Sequence, residues 1–307
     1  MTKIATRDAY GEALAQLGEE IKDIVVLDAD LSGSTKTSVF AKKFPERFFN
    51  VGIAEQNLMG TAAGFATCGK IPFASTFAVF ATGRAFEQVR NSICYPKLNV
   101  KIAATHAGLT VGEDGATHQS VEDLSLMRAL PNMTVISPAD AVETKKAVRA
   151  AAFHQGPVYI RLGRMAVETI FDEDYEFEIG KGKVLREGSD VAIIATGIMV
   201  AEALRAAEIL EKEGINAMVV NIHTLKPIDE DIILKAADCG AIVTAEEHTV
   251  IGGLGSAVAE VLAEKKPTPM RRIGIKDRFG LSGKPNELLK LYNLTAEDIA
   301  DAAREVK

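Results

Sequence analysis

Short apolar runs alternate along this chain with segments whose apolar residues have helical spacing. Such runs occur at Ile24–Asp28, Ile71–Phe77 and Val100–Thr105, and the pattern resumes in the second half at Val191–Ala195. Apolar runs of this length are typical of strands buried on both faces, and strands that alternate with helices form mostly parallel sheets. The sequence therefore predicts an α/β protein built of two three-layer α/β/α domains.

One acidic stretch without periodicity interrupts this pattern. Residues 171–176 are Phe-Asp-Glu-Asp-Tyr-Glu, and they follow a shift in composition that begins near residue 165. A chain of 307 residues is long enough for two domains, since domains usually have about 100–200 residues. We expect a first domain over residues 1–170, closed by a last strand at Pro157–Arg161. A linker over 171–182 and a second domain over 183–307 would follow.

The composition excludes several classes of function. A net charge of −7 provides no basic excess for binding nucleic acid. Cys68, Cys94 and Cys239 lie far apart without a CxxC motif, which gives neither a disulfide framework nor a zinc site. The start has no apolar region of a signal peptide, and no run approaches the ~20 apolar residues that a membrane span needs. We expect a soluble, cytoplasmic protein with no nucleic-acid or membrane partner and no metal ligands of its own.

An acid follows the apolar run Phe48–Ile53, which we predict to be a strand. Glu55 stands between this run and a helical segment, Asn57–Thr67, that is rich in glycine and alanine. A carboxyl group at the end of a buried element has its protonation state set by its surroundings, which suits acid–base chemistry. The alternative is an acid that the helix dipole favours in a first turn. The small residues permit close approach of a neighbour, so we expect this helix to lie in an interface.

Polar loops follow several predicted strands, where open α/β sheets bind their ligands. The first loop contains Asp30, Leu31 and Ser34, and the segment Gly112–Gln119 places two acids and His118 among two glycines. An imidazole titrates near neutral pH and can move protons on a sugar-like substrate. The alternative for this segment is a solvated loop with a capping aspartate. His106, at another strand end, is either a functional group or a satisfied core histidine.

Aromatic and cationic residues supply further candidates. Phe77 and Phe80 lie three residues apart beside a strand end, where they either pack in the core or stack on a heteroaromatic cofactor. Arg7, Arg161 and Arg164 flank apolar runs, and arginine is suited to bidentate phosphate binding. For each arginine alone, a surface role is the more common one.

Three of these segments together, Phe48–Gln56, Ser75–Phe80 and Gly112–Gln119, resemble the carboxyl-terminal half of transketolase, a thiamine-diphosphate enzyme. The resemblance covers nearly the whole chain and implies a pyrimidine-binding domain followed by a transketolase-type C-terminal domain. It implies that Glu55 hydrogen-bonds a ring nitrogen of the cofactor pyrimidine and so promotes removal of a proton from the thiazolium carbon. Phe77 and Phe80 match aromatic residues that stack on that pyrimidine, while Gly83 stands near the place of a third aromatic.

The same resemblance implies roles for the polar residues. Asp30 and Leu31 match residues that lie near the cofactor across a dimer. Asp114 matches the acidic residue that recognises the C2 hydroxyl of the substrate. His118 matches a residue that contacts the oxygens of the donor sugar. The matches to the phosphate end of a sugar phosphate are Arg7, Ser34, His106 and Arg164. Ala107 stands where several transketolases have aspartate, a departure that bears on the substrate fit.

One sequence motif of the family is absent here. Transketolases hold a metal ion and the diphosphate through a GDG phrase and a later asparagine, and the nearest sequence here is GEDG at 112–115. We therefore expect half of a split enzyme, whose N-terminal transketolase subunit carries the diphosphate-binding domain and binds Mg²⁺ (or Ca²⁺). The active site would form at the subunit contact in a homodimer or an α2β2 assembly. The reaction implied is transfer of a two-carbon ketol unit between sugar phosphates.

Three alternatives stay open at this point. A 1-deoxyxylulose-phosphate synthase has a similar His-Gln phrase but normally carries all its domains on one chain. The beta subunit of a 2-oxoacid dehydrogenase is also split, but it needs no sugar-phosphate contacts of the kind that His106, Asp114, His118 and Arg164 would make. A non-catalytic regulatory subunit of the same fold would not need the complete set of matched site residues.

Overall fold

A parallel sheet of six strands forms the centre of the first half of the protein. The computed structural model describes residues 3–307. The strands of this half are β1 (Lys3–Ala5), β2 (Ile24–Asp28), β3 (Phe48–Asn50), β4 (Ile71–Phe77), β5 (Lys101–Thr105), β6 (Thr134–Ile136), β7 (Val158–Arg161) and β8 (Ala166–Glu168). The parallel strands lie in the order β6-β7-β5-β4-β2-β3. The remaining two, β1 and β8, form a separate antiparallel pair.

Helices cover both faces of this sheet. They are α1 (Thr6–Glu20), α2 (Ser32–Thr35), α3 (Ser38–Lys43), α4 (Glu55–Thr67), α5 (Phe86–Gln88), α6 (Asp123–Ala129) and α7 (Ala141–Phe153). Wide π-helical turns flank α5 at Phe80–Arg84 and Val89–Cys94. Side chains alternate along a strand, so Val25 and Leu27 of β2 pack in the cluster that contains α4, whereas Ile24 and Val26 pack with α1 and α7. The result is three layers, as the fully buried strands require.

The second half repeats the arrangement on a smaller scale. Its strands are β9 (Lys183–Arg186), β10 (Val191–Ala195), β11 (Ala217–Asn221), β12 (Thr224–Lys226), β13 (Ile242–Thr249) and β14 (Met270–Ile275). Its helices are α8 (Met199–Glu211), α9 (Glu230–Ala236), α10 (Leu254–Lys265), α11 (Pro285–Leu291) and α12 (Ala296–Val306). The sheet order is β14-β13-β10-β11-β9, with only β9 antiparallel among these five. The predicted α/β fold with mostly parallel sheets is confirmed.

The two halves share a sheet edge and a core. Strand β12, from the second half, pairs antiparallel with β6 and becomes the edge of the first sheet. The expectation that Pro157–Arg161 closes this sheet is therefore wrong, because β7 lies between β5 and β6. One hydrophobic cluster runs across the join, with Leu130 and Val135 on one side and Ile222 and Leu225 on the other.

Several predicted boundaries differ from the structure. The strand expected at Phe48–Ile53 ends at Asn50, because Gly52 adopts a left-handed conformation (φ +75°). The following helix begins at Glu55 rather than Asn57. The short strands β1, β8, β9 and β12 were not predicted, since three or four residues carry too little periodicity. No helix within residues 3–307 has the length and apolar character needed to cross a membrane.

Candidate active site

A cleft of about 410 Å³ opens at the carboxyl ends of the strands of the first sheet. Loops that follow β2 and β3 form one side, and the turn after β4 and the loop after β5 form the other. Ligands of open α/β sheets bind at this edge. The cleft brings together five of the predicted site residues with four others: Ala29, Asp30, Leu31, Ile53, Glu55, Phe80, Arg84, Thr117 and His118.

Glu55 is a buried carboxylate at the start of a helix. It is the first residue of α4 and only 2% of it is exposed, although it borders the cleft. Its Oε2 atom accepts a hydrogen bond of 2.9 Å from Nη1 of Arg84. The Arg84 guanidinium also lies 4.5 Å from the centre of the Phe80 ring. Arg84 was not predicted as a site residue, although its position four residues after Phe80 on a helical segment was a usable signal.

Four aromatic rings contact one another beside Glu55. Phe77, at the end of β4, is buried and stacks on His106 with a centroid distance of 3.8 Å. Phe80 lies 5.9 Å from Phe77 in a nearly parallel orientation, and His118 meets Phe80 edge-on at 5.5 Å. Of the two predicted stacking residues, Phe80 lines the cleft and Phe77 lies behind it. A Cβ at Gly83 would have no atom within 4 Å, so the place of the third aromatic is open.

A buried aspartate shapes the loop that follows β2. Asp28 is fully buried and accepts hydrogen bonds from the backbone of Leu31 (2.6 Å) and from the hydroxyls of Thr35 (2.7 Å) and Thr37 (2.9 Å). Burial raises the pKa of Asp28, and these donors partly counteract it. Asp30 itself is exposed in a left-handed conformation.

Asn50, at the end of β3, holds Asp30 from the other side. Its amide group bonds both the backbone nitrogen of Asp30 (3.0 Å) and the carboxylate of Asp30 (3.1 Å). The sequence predicted Asp30 but neither Asp28 nor Asn50. An acid that directly ends an apolar strand was the available signal for Asp28.

A second group of predicted residues adjoins the cleft without lining it. Nη1 of Arg7 lies 3.1 Å from the carbonyl oxygen of Ser34 and 3.2 Å from Nε2 of His106. Since a guanidinium only donates, Nε2 of His106 accepts, and its Nδ1 carries the hydrogen and lies 2.9 Å from the hydroxyl of Thr105. Burial, together with the charges of Arg7 and Arg164, lowers the pKa of His106 to about 3. The imidazole is therefore neutral over the physiological pH range.

Two arginines give this second group its positive charge. Arg7 is half-buried, and its Nε atom has no hydrogen-bond partner within residues 3–307. Nη1 of Arg164 donates to the carbonyl oxygen of Val111 and lies 3.6 Å from Glu113 and 3.7 Å from Asp114. Desolvation lowers the pKa of Arg7, and the charge of Arg164 lowers it further, so the two cations lie within electrostatic reach of each other. Two neighbouring guanidinium groups, one of which has a buried donor without a partner, suit a phosphate.

The arrangement fits the pyrimidine end of a thiamine cofactor. An aromatic face (Phe80) and a buried carboxylate (Glu55) border one cleft, and a flat heteroaromatic ring needs both for stacking and for a hydrogen bond to a ring nitrogen. The structure shows no comparable site for a metal ion. Within residues 3–307, no group of three His, Cys, Asp or Glu side chains could hold one.

Comparisons with known proteins identify the family of this chain. The chain matches the domain families "Transketolase, pyrimidine binding domain" over residues 2–169 and "Transketolase, C-terminal domain" over residues 180–299. A split-gene transketolase solved as an inactive β4 tetramer is 63% identical, with a TM-score of 0.93 over 99% of this chain and 98% of that one.

Two curated relatives show how this chain corresponds to subunits and to longer enzymes. The 6-deoxy-6-sulfo-D-fructose transketolase subunit of Clostridium sp. (strain MSTE9) is 48% identical over 98% of this chain and 94% of its own length. Transketolase of Homo sapiens is 40% identical over 98% of this chain but over only 49% of its own length. The chain therefore belongs to the transketolase family, of which it carries the pyrimidine-binding and C-terminal domains.

Proposed function

We propose that this chain is the C-terminal subunit of a split transketolase that transfers a two-carbon ketol group from a ketose phosphate to an aldose phosphate. The observation that carries the proposal is Glu55, a carboxylate with 2% exposure that borders a cleft beside the ring of Phe80. The family membership supports the reaction class. The half-buried Arg7 and Arg164 favour a sugar phosphate over an uncharged sugar.

The residues of this chain would divide the work at the cleft. Thiamine diphosphate would supply a nucleophilic carbon that takes up the two-carbon unit and stabilises its negative charge. Glu55 would hold a proton at a pyrimidine ring nitrogen, while Phe80 packs against the ring face. His118, at the rim, would exchange protons with the sugar oxygens. Arg7 and Arg164 would bind the phosphate, with the neutral His106 holding Arg7 in place.

An N-terminal transketolase subunit would complete the site. This chain lacks the GDG phrase, and human transketolase has an additional half that this chain does not match. That half corresponds to the subunit expected to hold the diphosphate and Mg²⁺ (or Ca²⁺). The exposed face of α4 suits a subunit contact, since a Cβ at Gly60 or Gly64 would have no atom within 4 Å. We propose that the working assembly is a homodimer or α2β2.

Reconstitution tests the proposal directly. The chain is mixed with its N-terminal partner, thiamine diphosphate and magnesium, and ketol transfer from xylulose 5-phosphate to ribose 5-phosphate is followed. Transfer that depends on both subunits is the expected result. Turnover of pyruvate without ketol transfer would instead indicate a 1-deoxyxylulose-phosphate synthase or a 2-oxoacid dehydrogenase subunit. No turnover of either kind, with the complex formed, would indicate a regulatory subunit.

A further inference from the structure

The amide of Gln119 connects the loop over residues 109–118 to the second half of the protein. Gln119 is buried, with 3% exposure, and its Nε2 lies 3.1 Å from the carbonyl oxygen of Leu109, 3.3 Å from that of Gly112 and 2.9 Å from that of Leu281. Three carbonyl neighbours fix the orientation of the amide, because only its nitrogen can donate to them. The first two acceptors belong to the loop and the third to the segment before α11.

Glycines on both sides make this contact possible. A Cβ at Gly280 would overlap Oε1 of Gln119, and a Cβ at Gly115 would overlap the hydroxyl of Ser282. The loop therefore approaches the segment over residues 280–285 at distances that exclude even a methyl group. The side chain of Gln119 reaches Leu281 only because residue 280 is a glycine and has no side chain.

A second anchor holds the other end of the same loop. Glu247, on β13 of the second half, accepts a hydrogen bond of 2.6 Å from the backbone nitrogen of Thr110. A Cβ at Gly108 would overlap this carboxyl group. Glu247 is itself buried, with Nη1 of Arg161 4.0 Å from its Oε2. Both ends of the loop are thus attached to the second half, in addition to the hydrogen bond that Arg164, of the first half, donates to the carbonyl oxygen of Val111.

The stretch between the anchors carries two of the predicted substrate contacts, Asp114 and His118. No helix or strand contains residues 112–118, and the side chains of Glu113 and Asp114 are 63% and 43% exposed. His118, the last residue of the loop, meets Phe80 at the cleft. Turn hydrogen bonds from the backbone nitrogens of Gly115 and His118 hold the stretch together internally, but they do not tie it to the rest of the protein. Its attachments to neighbouring segments therefore decide where its side chains lie.

From these contacts we infer that Gln119 is a positioning residue. By joining the loop to Leu281, it makes the C-terminal domain a support that holds Asp114 beside Arg164 and His118 at the cleft. The C-terminal domain thereby contributes to sugar binding through the loop that it supports. This inference rests on the proposed function for its catalytic consequence, whereas the attachment of the loop is a property of the chain itself.

Two variants disrupt the contact from opposite sides. Gln119→Met keeps the length of the side chain and removes the donor, and Gly280→Ala places a methyl group against Oε1 of Gln119. Asn221→Leu is the matched control: Asn221 is also a fully buried carboxamide, which donates to Glu143 (2.7 Å) at a different point of the domain contact. Deuterium uptake of residues 109–119 is measured in the chain alone. The KM for the ketose phosphate, kcat and the Kd of thiamine diphosphate are measured in the enzyme reconstituted with its N-terminal partner.

The expected result is faster exchange at residues 112–118 in both test variants, with a KM raised about tenfold or more, since small displacements of a positioning group have effects of this size. The Kd of thiamine diphosphate should stay within about twofold, and Asn221→Leu should leave KM unchanged while lowering thermal stability. Unchanged exchange in the test variants would overturn the inference, as would an equal rise in KM for the control. If the unmodified enzyme shows no ketol transfer, the proposed function fails, and the exchange measurement alone then decides whether Gln119 anchors the loop.

Discussion

Replacing Arg84 by methionine should tighten the binding of thiamine diphosphate to the assembled enzyme. Arg84 donates to Oε2 of Glu55 and lies over the ring of Phe80. The carboxyl group of Glu55 and the face of the Phe80 ring are the two groups that the proposed function assigns to the pyrimidine. The guanidinium and the cofactor ring therefore compete for one place, and the hydrogen bond between Arg84 and Glu55 must break before the cofactor binds.

The geometry sets the size of the effect. A hydrogen bond to a charged group contributes about 1.5–3 kcal/mol. The Arg84 side chain is 49% exposed, and solvent screening places its pair at or below the lower end of that range. A difference of about 1.4 kcal/mol is a factor of ten in a dissociation constant. Arg84→Met should therefore lower the Kd of thiamine diphosphate up to about tenfold. It should also lower the thermal stability of the free chain, because Glu55 loses its partner.

Calorimetric titration of the reconstituted enzyme with thiamine diphosphate measures this change. Arg90→Met is the matched control, since Arg90 is an exposed arginine on the following helical turn, and its guanidinium donates to the neighbouring Asn91 (2.5 Å). The control should leave both the Kd and the thermal stability unchanged. A Kd for Arg84→Met that is unchanged or higher would refute the reasoning, since it would mean that Arg84 leaves Glu55 without cost or contacts the cofactor itself.

Three further predictions concern single carboxyl and imidazole groups. Glu55→Gln should reduce ketol transfer at least about a hundredfold. The melting temperature should change little, because the amide oxygen can still accept a hydrogen bond from Arg84. Near-normal turnover would show that Glu55 has no role in catalysis. Burial raises the pKa of Glu143 to about 8, so its contribution to stability is complete below its ordinary value of 4.5 and is lost as the pH rises toward 8. Melting temperatures between pH 5 and 9 should fall less in Glu143→Gln than in the unmodified chain, and equal slopes would contradict this. The imidazole of His106 should show no NMR titration between pH 5 and 9, because its pKa is lowered to about 3.

The strand and helix pattern could be predicted because it depends on local chemistry. A strand buried on both faces is mostly apolar, and Ile24–Asp28 and Val191–Ala195 show this directly in the sequence. Strand β12 could not be predicted, because it consists of only three residues and its partner, β6, is distant along the chain. Its place in the first sheet depends on how the two halves of the protein pack together, and a local sequence pattern does not predict that packing.

The same distinction applies to the site. Glu55 and His118 could be identified from short sequence motifs, because a carboxyl group and an imidazole are suited to acid–base chemistry wherever they occur. Asp28 and Arg84 act through partners brought close by folding, and their importance depends on distances of 2.6–2.9 Å that the sequence does not contain. Arg7 and His106 were predicted separately, but their hydrogen bond joins residues 99 positions apart.

The edge strand β12 has a consequence for how this protein can be divided. A cut within the predicted linker, residues 171–182, would remove β12 from the first sheet and leave backbone groups of β6 unpaired along an open edge. Such an edge is a template for pairing with another chain. The same cut would expose the apolar side chains of Leu130 and Val135, which pack in one cluster with Ile222 and Leu225. The isolated first domain should therefore aggregate rather than fold alone, and heating the intact chain should melt both halves in one cooperative transition.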